Sequence, residues 1–485
     1  MHVSAMTADR TGAGLQVTCV PFRRISPKTS RLFLTRRLPN GHRSTWNGGQ
    51  VQVGHRQPCT IDCMTFLPAE LPHTAVRGAE FAQSAVKLAA LRLRERVRES
   101  RLPDEFHPHD DDQFVAAAYF AGDLSSVYQL EQWLWPFEQL EARLKELGHS
   151  NRPFGIIVRN AMVAKRLKGI TDFPVRFSRL TSGLDKFMQS PSLRAVFYVN
   201  QGTSNFQALR YPEPAHVHLS HGESEKISMI SNQLKGYDYV FTAGQAARER
   251  IEQTLYGMSG DRMFDVGRPQ LDRPRSVPSE WEVFKAKNPD GKAVFYAPTW
   301  EGDSPSMAYG TIAYNGEKIV ASLLEAGYRV IFRPHPRTGV MRHEFEKAVE
   351  DVAEIVESDP RGFLDKSPDV SWQLDEADLA VVEMTSVAFD WLASGKPLVM
   401  VKPHESEAEV LEGGLLDRCP AVDPASQAGV VDLINEAVSR TGLVEELAEF
   451  YLGDTASGEQ TVRFIQSSEQ VIKIRSEERR MKHAE

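Results

Sequence analysis

The sequence predicts an α/β fold of two Rossmann-like domains facing a cleft, with an N-terminal helical extension. Three observations carry that expectation. From residue 151 onward, short apolar runs rich in β-branched residues alternate with helical stretches, the texture of parallel sheets covered on both faces. A polar linker around 273–290 splits this alternation into two similar halves. Each motif rich in His, Arg, Thr or Ser follows a predicted strand, and ligands in open α/β sheets bind beyond the carboxyl ends of strands.

At 485 residues the chain exceeds one typical core, so two or three domains are expected. The boundaries read as a disordered basic arm at 1–63, a helical accessory region at 64–150, a first Rossmann-like domain at 151–280, a second at 281–455, and a C-terminal helix at 456–485. Residues 1–60 hold nine of the 57 Lys and Arg but only one of the 65 acids. The remainder is therefore more acidic than the net charge of −8 implies, which argues against nucleic acid as a partner. No run of about 18 apolar residues is present, so no membrane-spanning helix is expected. Cys19, Cys59, Cys63 and Cys419 lack zinc-site spacing and fit a reducing compartment. The localisation read from this is cytoplasmic.

Before residue 150 the reading is helical. Residues 80–101 place Val86, Ala89, Ala90, Leu93 and Val97 at helical spacing among Lys87, Arg92, Arg94, Arg96, Arg98 and Arg101. Such a basic amphipathic helix either packs on its own domain or lies on an anionic membrane surface. The polar run HPHDDD at 107–112 reads as a loop rather than a metal site. Residues 124–148 predict a helix that Pro136 kinks or splits.

In the first half, strands are expected at Phe154–Val158, Leu193–Val199, Val217–Leu219, Tyr237–Thr242 and Asp265–Gly267, with helices at Ala161–Leu167 and Ala246–Leu255. In the second, strands are expected at Ala293–Ala297, Arg329–Arg333, Glu354–Glu357, Leu379–Val382 and Leu398–Val401. Helices are expected at Glu317–Ala326, Met341–Val352, Val430–Val438 and Leu443–Tyr451. A last helix over about Gln460–Met481, with Val462, Ile465, Val471 and Ile474 in its stripe, is expected to cross back to the first half.

Four stretches carry candidate chemistry. After the strand Leu379–Val382, Thr385 or Ser386 supplies an N-cap hydroxyl, Gly395 ends the helix and Pro397 forbids its continuation. A hydroxyl-bearing helix start at a strand's carboxyl end is an anion site, or else an ordinary capped helix. In SHGESEK, His221 beside Gly222 sits on a tight turn where an imidazole can act as general base, and Lys226 can hold phosphate; His218 within the strand reads as a core residue. In VIFRPHPR, Pro334 and Pro336 clamp His335 between Arg333 and Arg337, a rigid cationic turn suited to a diphosphate leaving group. In FYAPTWEGD, Thr299 and Trp300 face the cleft or pack in the core. Glu383 can bond a ribose or pair with a nearby cation. Arg268 and Asp272 in VGRPQLD read as hinge pins.

Taken in order, these motifs resemble the CDP-glycerol glycerophosphotransferase family of teichoic-acid polymerases and primases. His221, Gly222 and Lys226 match its HGTPLK-like turn. Gly267–Asp272, Tyr296–Trp300 and the RPHP at Arg333–Pro336 match three further elements. Glu383–Ser386, Phe389–Asp390 and Lys396–Pro397 are similar to its D-Y-S-S, FD and K-P elements. Glu223 and Ser224 depart from Thr-Pro, and Glu383-Met384-Thr385 departs from Asp-Tyr-Ser. The resemblance implies a glycosyltransferase-B-like fold, with an acceptor domain first and a nucleotide-donor domain second. It also implies metal-independent transfer without a cofactor, from a CDP-linked donor to a lipid-linked or polymeric acceptor, on the inner face of the membrane. On this reading His221 is the general base, and His335 with Arg333 and Arg337 steadies the diphosphate and the departing CMP. Thr385 and Ser386 then hold donor phosphate. A nucleotide-sugar glycosyltransferase or epimerase, or a non-catalytic envelope-associated binding protein, remain open on the same residues.

Overall fold

The computed structural model describes residue 94 and residues 96–226, 229–368, 370–423 and 429–484. The basic arm at 1–63 and most of the basic helix at 80–101 lie outside the described residues.

Two all-parallel sheets form the frame. The first runs β3 (Val175–Phe177), β2 (Phe154–Val158), β1 (Ala116–Phe120), β4 (Ala195–Tyr198), β5 (Ala215–His218), β6 (Tyr239–Thr242) and β7 (Met263–Asp265). The second runs β10 (Gly362–Leu364), β9 (Arg329–Phe332), β8 (Ala293–Ala297), β11 (Leu379–Val382), β12 (Leu398–Val401) and β13 (Ala421–Val422). The strand order reverses between β1 and β4 in the first sheet and between β8 and β11 in the second. Those reversals are the switch points at which loops from neighbouring strands diverge and leave a crevice.

The central strands are buried on both faces, which is why they read as continuous apolar runs. In β1, Ala116, Ala118 and Phe120 enter one core layer while Ala117 and Tyr119 enter the other. β1 was not among the expected strands. It falls in the stretch read as a helical accessory region, and its three alanines carry little strand signal. They fit here because helices cover both faces of the sheet centre.

The helical stretch at 124–148 is split into Tyr128–Glu131 and Leu134–Glu146, with Pro136 in the first turn of the second piece. The expected strand at Glu354–Glu357 is instead the end of the helix His343–Ser358. Phe345, Ala348, Val352 and Val356 are all buried there, so the helical spacing runs on past Val352, and the edge strand is β10. The linker around 273–290 contains the helix Ser279–Lys287, anchored by fully buried Trp281.

The last helix, Glu459–Ala484, does return to the first sheet. Its buried stripe is Phe464, Ser468, Val471 and Ile472, whereas Val462 is exposed. Phe464 joins a cluster of rings, with Trp133, Phe197, Phe241 and Phe137 at centroid distances of 5.4, 6.0, 6.2 and 6.2 Å. Arg194 Nε donates to Ser476 Oγ at 3.1 Å and Arg479 Nη1 to the Leu193 carbonyl at 2.9 Å. The first core is therefore closed by the far end of the chain. Replacing Phe464 by Ala removes the centre of this cluster and should cost about 3–5 kcal/mol. A lowered midpoint in thermal or denaturant unfolding is expected; an unchanged midpoint would show that the helix is an optional cover.

Candidate functional site

The turn after β5 is built to be rigid. Ser220, at φ 69°, is the single non-glycine residue with positive φ among the described residues, a conformation sparsely populated by side chains other than Asn and Asp. Trp133 Nε1 donates to the Ser220 carbonyl at 2.8 Å, and Ser220 Oγ donates to the Gly222 carbonyl at 2.9 Å. These bonds fix the next residue, His221, whose ring meets Tyr128 edge-on at 6.3 Å. Burial pushes the His221 imidazole down to about 4, and the charges of Arg268 and Lys226 act in the same direction. It is neutral at pH 7 and able to accept a proton.

Gly222 is a glycine for a steric reason. A Cβ there would lie 3.1 Å from Ser386 Cβ. The turn of the first sheet thus rests directly on the start of the helix Ser386–Leu392 in the second. The two glutamates of HGESEK serve as bolts. Buried Glu223 pairs with Arg250. Glu225 accepts the Leu415 amide at 3.2 and 3.1 Å and the Tyr451 hydroxyl.

At the second switch point Glu383 has no exposure. It accepts from Thr299 N at 2.7 Å, Thr311 N at 2.9 Å and Thr311 Oγ1 at 2.6 Å. The sequence reading gave Glu383 to substrate; here its oxygens tie the loops after β8 and β11 together instead. Burial lifts its carboxyl to about 7, opposed by those donors and by Lys226. Thr299 is buried and takes part through its amide. Thr385 occupies the N-cap position in extended conformation, but its hydroxyl makes no capping bond. The first-turn amides therefore have no side-chain cap of the kind the sequence predicted.

The RPHPR turn leaves β9. Arg333 Nη1 is held by Asp365 at 2.7 Å, both side chains largely buried. His335 Nδ1 accepts the Arg337 amide at 3.2 Å, which assigns the ring proton to Nε2. Burial depresses His335 to about 4, reinforced by Lys226, Arg337 and Arg333. The Arg337 guanidinium lies 3.8 Å from the Trp300 ring centre. Glu301 accepts from the amides of Gly339, Met341 and Arg342 at 2.9, 2.7 and 3.1 Å and shapes the far side of this turn. Sequence reasoning passed over Glu301, because its partners lie about 40 positions away and only the fold brings them near.

Lys226 links the two turns. Its charge depresses both imidazoles, and Glu383 and Asp303 favour its charged form. Its Nζ stands 5.0 Å from the Tyr309 ring, and burial brings it down to about 8. His221, Gly222, Lys226, Ser386 and His335 thus share one electrostatic neighbourhood, while Arg333 and Glu383 brace its walls.

Other motif residues hold the frame. Arg268 forms a two-point ion pair with Asp390 at 2.9 and 3.3 Å. Asp272 accepts the Thr461 amide and hydroxyl, both at 2.7 Å. Lys396 Nζ donates to the carbonyls of Leu374, Asp375 and Ala377. A cavity of about 50 Å³ lies behind the His221 turn, lined by His218, Thr242 and Arg250. A larger one of about 660 Å³ opens at the amino ends of β1, β2 and β3, the opposite edge. In the 107–112 loop beside it, Asp112 pairs with Arg176. Among the described residues, no group of three or more His, Cys, Asp or Glu is placed to hold a metal ion.

Residues 196–409 match the sequence model of CDP-glycerol:poly(glycerophosphate) glycerophosphotransferase. That segment is similar to this family. It contains both imidazole turns, Lys226, the Arg268–Asp390 pair and the Glu383–Ser386 block, and it ends before the last helices. No curated protein matches the chain. In backbone the chain is similar to a glycosyltransferase from Rickettsia africae ESF-5, at 12% identity over 75% of this chain and 99% of that one, TM-score 0.46. It is similar to the wall teichoic acid polymerase TagF, at 13% identity over 83% and 98%, TM-score 0.47. It is also similar to S. aureus MnaA with UDP, at 12% identity over 73% and 97%, TM-score 0.46.

The Gly222–Ser386 contact can be measured without an assay. Gly222→Ala should destabilise by about 1–3 kcal/mol through overpacking. Ser386→Gly in that background should restore at least about half of the loss. Strictly additive effects in thermal unfolding would mean that the two residues do not touch.

Proposed function

We propose that the protein transfers glycerol phosphate, or a related polyol phosphate, from a CDP-activated donor to a hydroxyl of a cell-envelope polymer or lipid-linked acceptor, releasing CMP. The observation that carries this reading is the seating of the His221 turn on Ser386. It sets a neutral imidazole beside a helix start that lacks a side-chain cap, inside the segment of the family match.

The chemistry follows from the groups present. The acceptor oxygen attacks the phosphorus that bears the polyol while His221 takes the hydroxyl proton. The bond from that phosphorus to the CMP oxygen breaks, and the electron pair leaves with CMP. His335, with its proton on Nε2, donates to the diphosphate as charge grows there. Lys226 and Arg337 add positive charge, and Arg333, held by Asp365, positions the turn. The amides at Thr385 and Ser386 receive donor phosphate. Because these donors are fixed before substrate arrives, little reorganisation is needed at the transition state.

His221→Ala and His335→Ala should each lower CMP release from CDP-glycerol by about 10²–10⁴-fold. Intact turnover in both variants, or release of UDP from UDP-sugars by the wild type in place of CMP release, would overturn the reading. The pH profile gives a second check. A base depressed to about 4 stays neutral above that value, so kcat/KM should hold from pH 7 down to about 5 and fall near 4. Lys226 loses its charge as pH rises through about 8, so a basic limb is expected there. An acid limb near the ordinary histidine value of about 6.5 would show that the imidazole at work is not the buried one.

Attachment to the inner membrane face is part of the proposal, since a lipid-linked acceptor stays in the bilayer. Among the described residues, no helix is long and apolar enough to cross a membrane. Arg94 and Arg96–Glu99 are helical, and Val97 is 40% exposed. Sedimentation with phosphatidylglycerol liposomes is expected, and removal of residues 1–101 should abolish it. Equal sedimentation without them would exclude that helix as the anchor.

A further inference from the structure

We infer that Tyr128 is the surface on which the carbon skeleton of the acceptor stacks as its hydroxyl approaches His221. This rests on the transfer reading above. Tyr128 lies outside the segment that matches the family, so the match does not supply its role.

The topology places it. The strand order reverses between β1 and β4, and the loops after these strands must part there. Gln129, after β1, accepts from Asn200 Nδ2, after β4, at 2.9 Å. The two loops are thereby held at a fixed spacing by neutral amides. The loop after β1 is stiff: Asp123 Oδ1 accepts the Ser125 amide at 3.1 Å and the Ser125 hydroxyl at 2.6 Å. At Gly122 a side chain would collide with Phe120 and Ser126.

Tyr128, which opens the helix Tyr128–Glu131, is 46% exposed, and Leu124 in the loop before it is 45% exposed. A purely solvent-facing tyrosine has no need of an ordered loop. This one stands perpendicular to the His221 ring at 6.3 Å. A polyol or sugar unit lying on an aromatic face directs its C–H bonds at the ring and its hydroxyls to the sides. From Tyr128 one such hydroxyl is within reach of the His221 imidazole. The same contact disfavours water as the attacking nucleophile, because water has no carbon skeleton to stack.

The test uses the full chain, CDP-glycerol as donor and glycerol as a minimal acceptor, with CMP release followed against glycerol concentration. Tyr128→Ala should raise half-saturating glycerol about tenfold. It should leave the KM for CDP-glycerol within about twofold, with an unchanged unfolding midpoint. Tyr128→Phe keeps the ring and should restore the wild-type glycerol dependence. Unchanged half-saturation in Tyr128→Ala, or an equal shift in the donor KM, overturns the inference while leaving the transfer reading intact. A wild type that releases no CMP removes the transfer reading and this inference with it.

Discussion

The ion pair between Arg268 and Asp390 joins the two sheets at the point where the site needs them joined. Its side chains are only 8% and 15% exposed, so each charge has lost most of its water and depends on the other. Two parallel N–H···O bonds set direction as well as distance. Arg268 ends the first half and Asp390 lies on the helix that Ser386 begins. The pair therefore holds that helix against the turn whose Gly222 it touches. The Arg268 amide also donates to Gln460 at 2.8 Å, so the final helix is tied to the same place. Neighbouring buried acids repeat the arrangement: Glu225 reaches from the turn to Leu415 and Tyr451, and Glu383 gathers the loops on its own side.

These anchors shape the electrostatics between them. Two imidazoles are held neutral by burial and by Lys226, and the Arg337 amide fixes the tautomer of one of them, His335. A water-poor pocket strengthens each such interaction. It also makes the placement of the Lys226 ammonium decisive, because it acts on His221, His335 and Glu383 together. Glu223 and Glu383 stand where the family's pattern differs, and both are engaged in holding structure.

Much of this was legible in the sequence. Ala293–Ala297, Leu379–Val382 and Leu398–Val401 coincide with observed strands because a strand buried on both faces must be apolar throughout. The turns that carry His221 and His335 follow β5 and β9 as expected, each stiffened by glycine or proline. β1 was missed because its alanines carry a weak local preference that only the surrounding layers override. The role of Glu383 was missed for a different reason: Thr299 and Thr311 lie more than 70 positions away, and no local pattern reports a partner at that distance. The same holds for Glu225 and Tyr451. Strands and turns are written locally, whereas the contacts that hold them together are written across the whole chain.

The closing of the first core by Phe464 bears on how the protein comes into being. Strands β1 to β7 leave the ribosome long before the helix Glu459–Ala484 that covers them. Throughout that interval the aromatic layer around Phe137, Phe197 and Phe241 lacks the contacts of Phe464. A nascent chain stalled before that helix presents a sticky apolar face to whatever holds unfinished polypeptides in the cell.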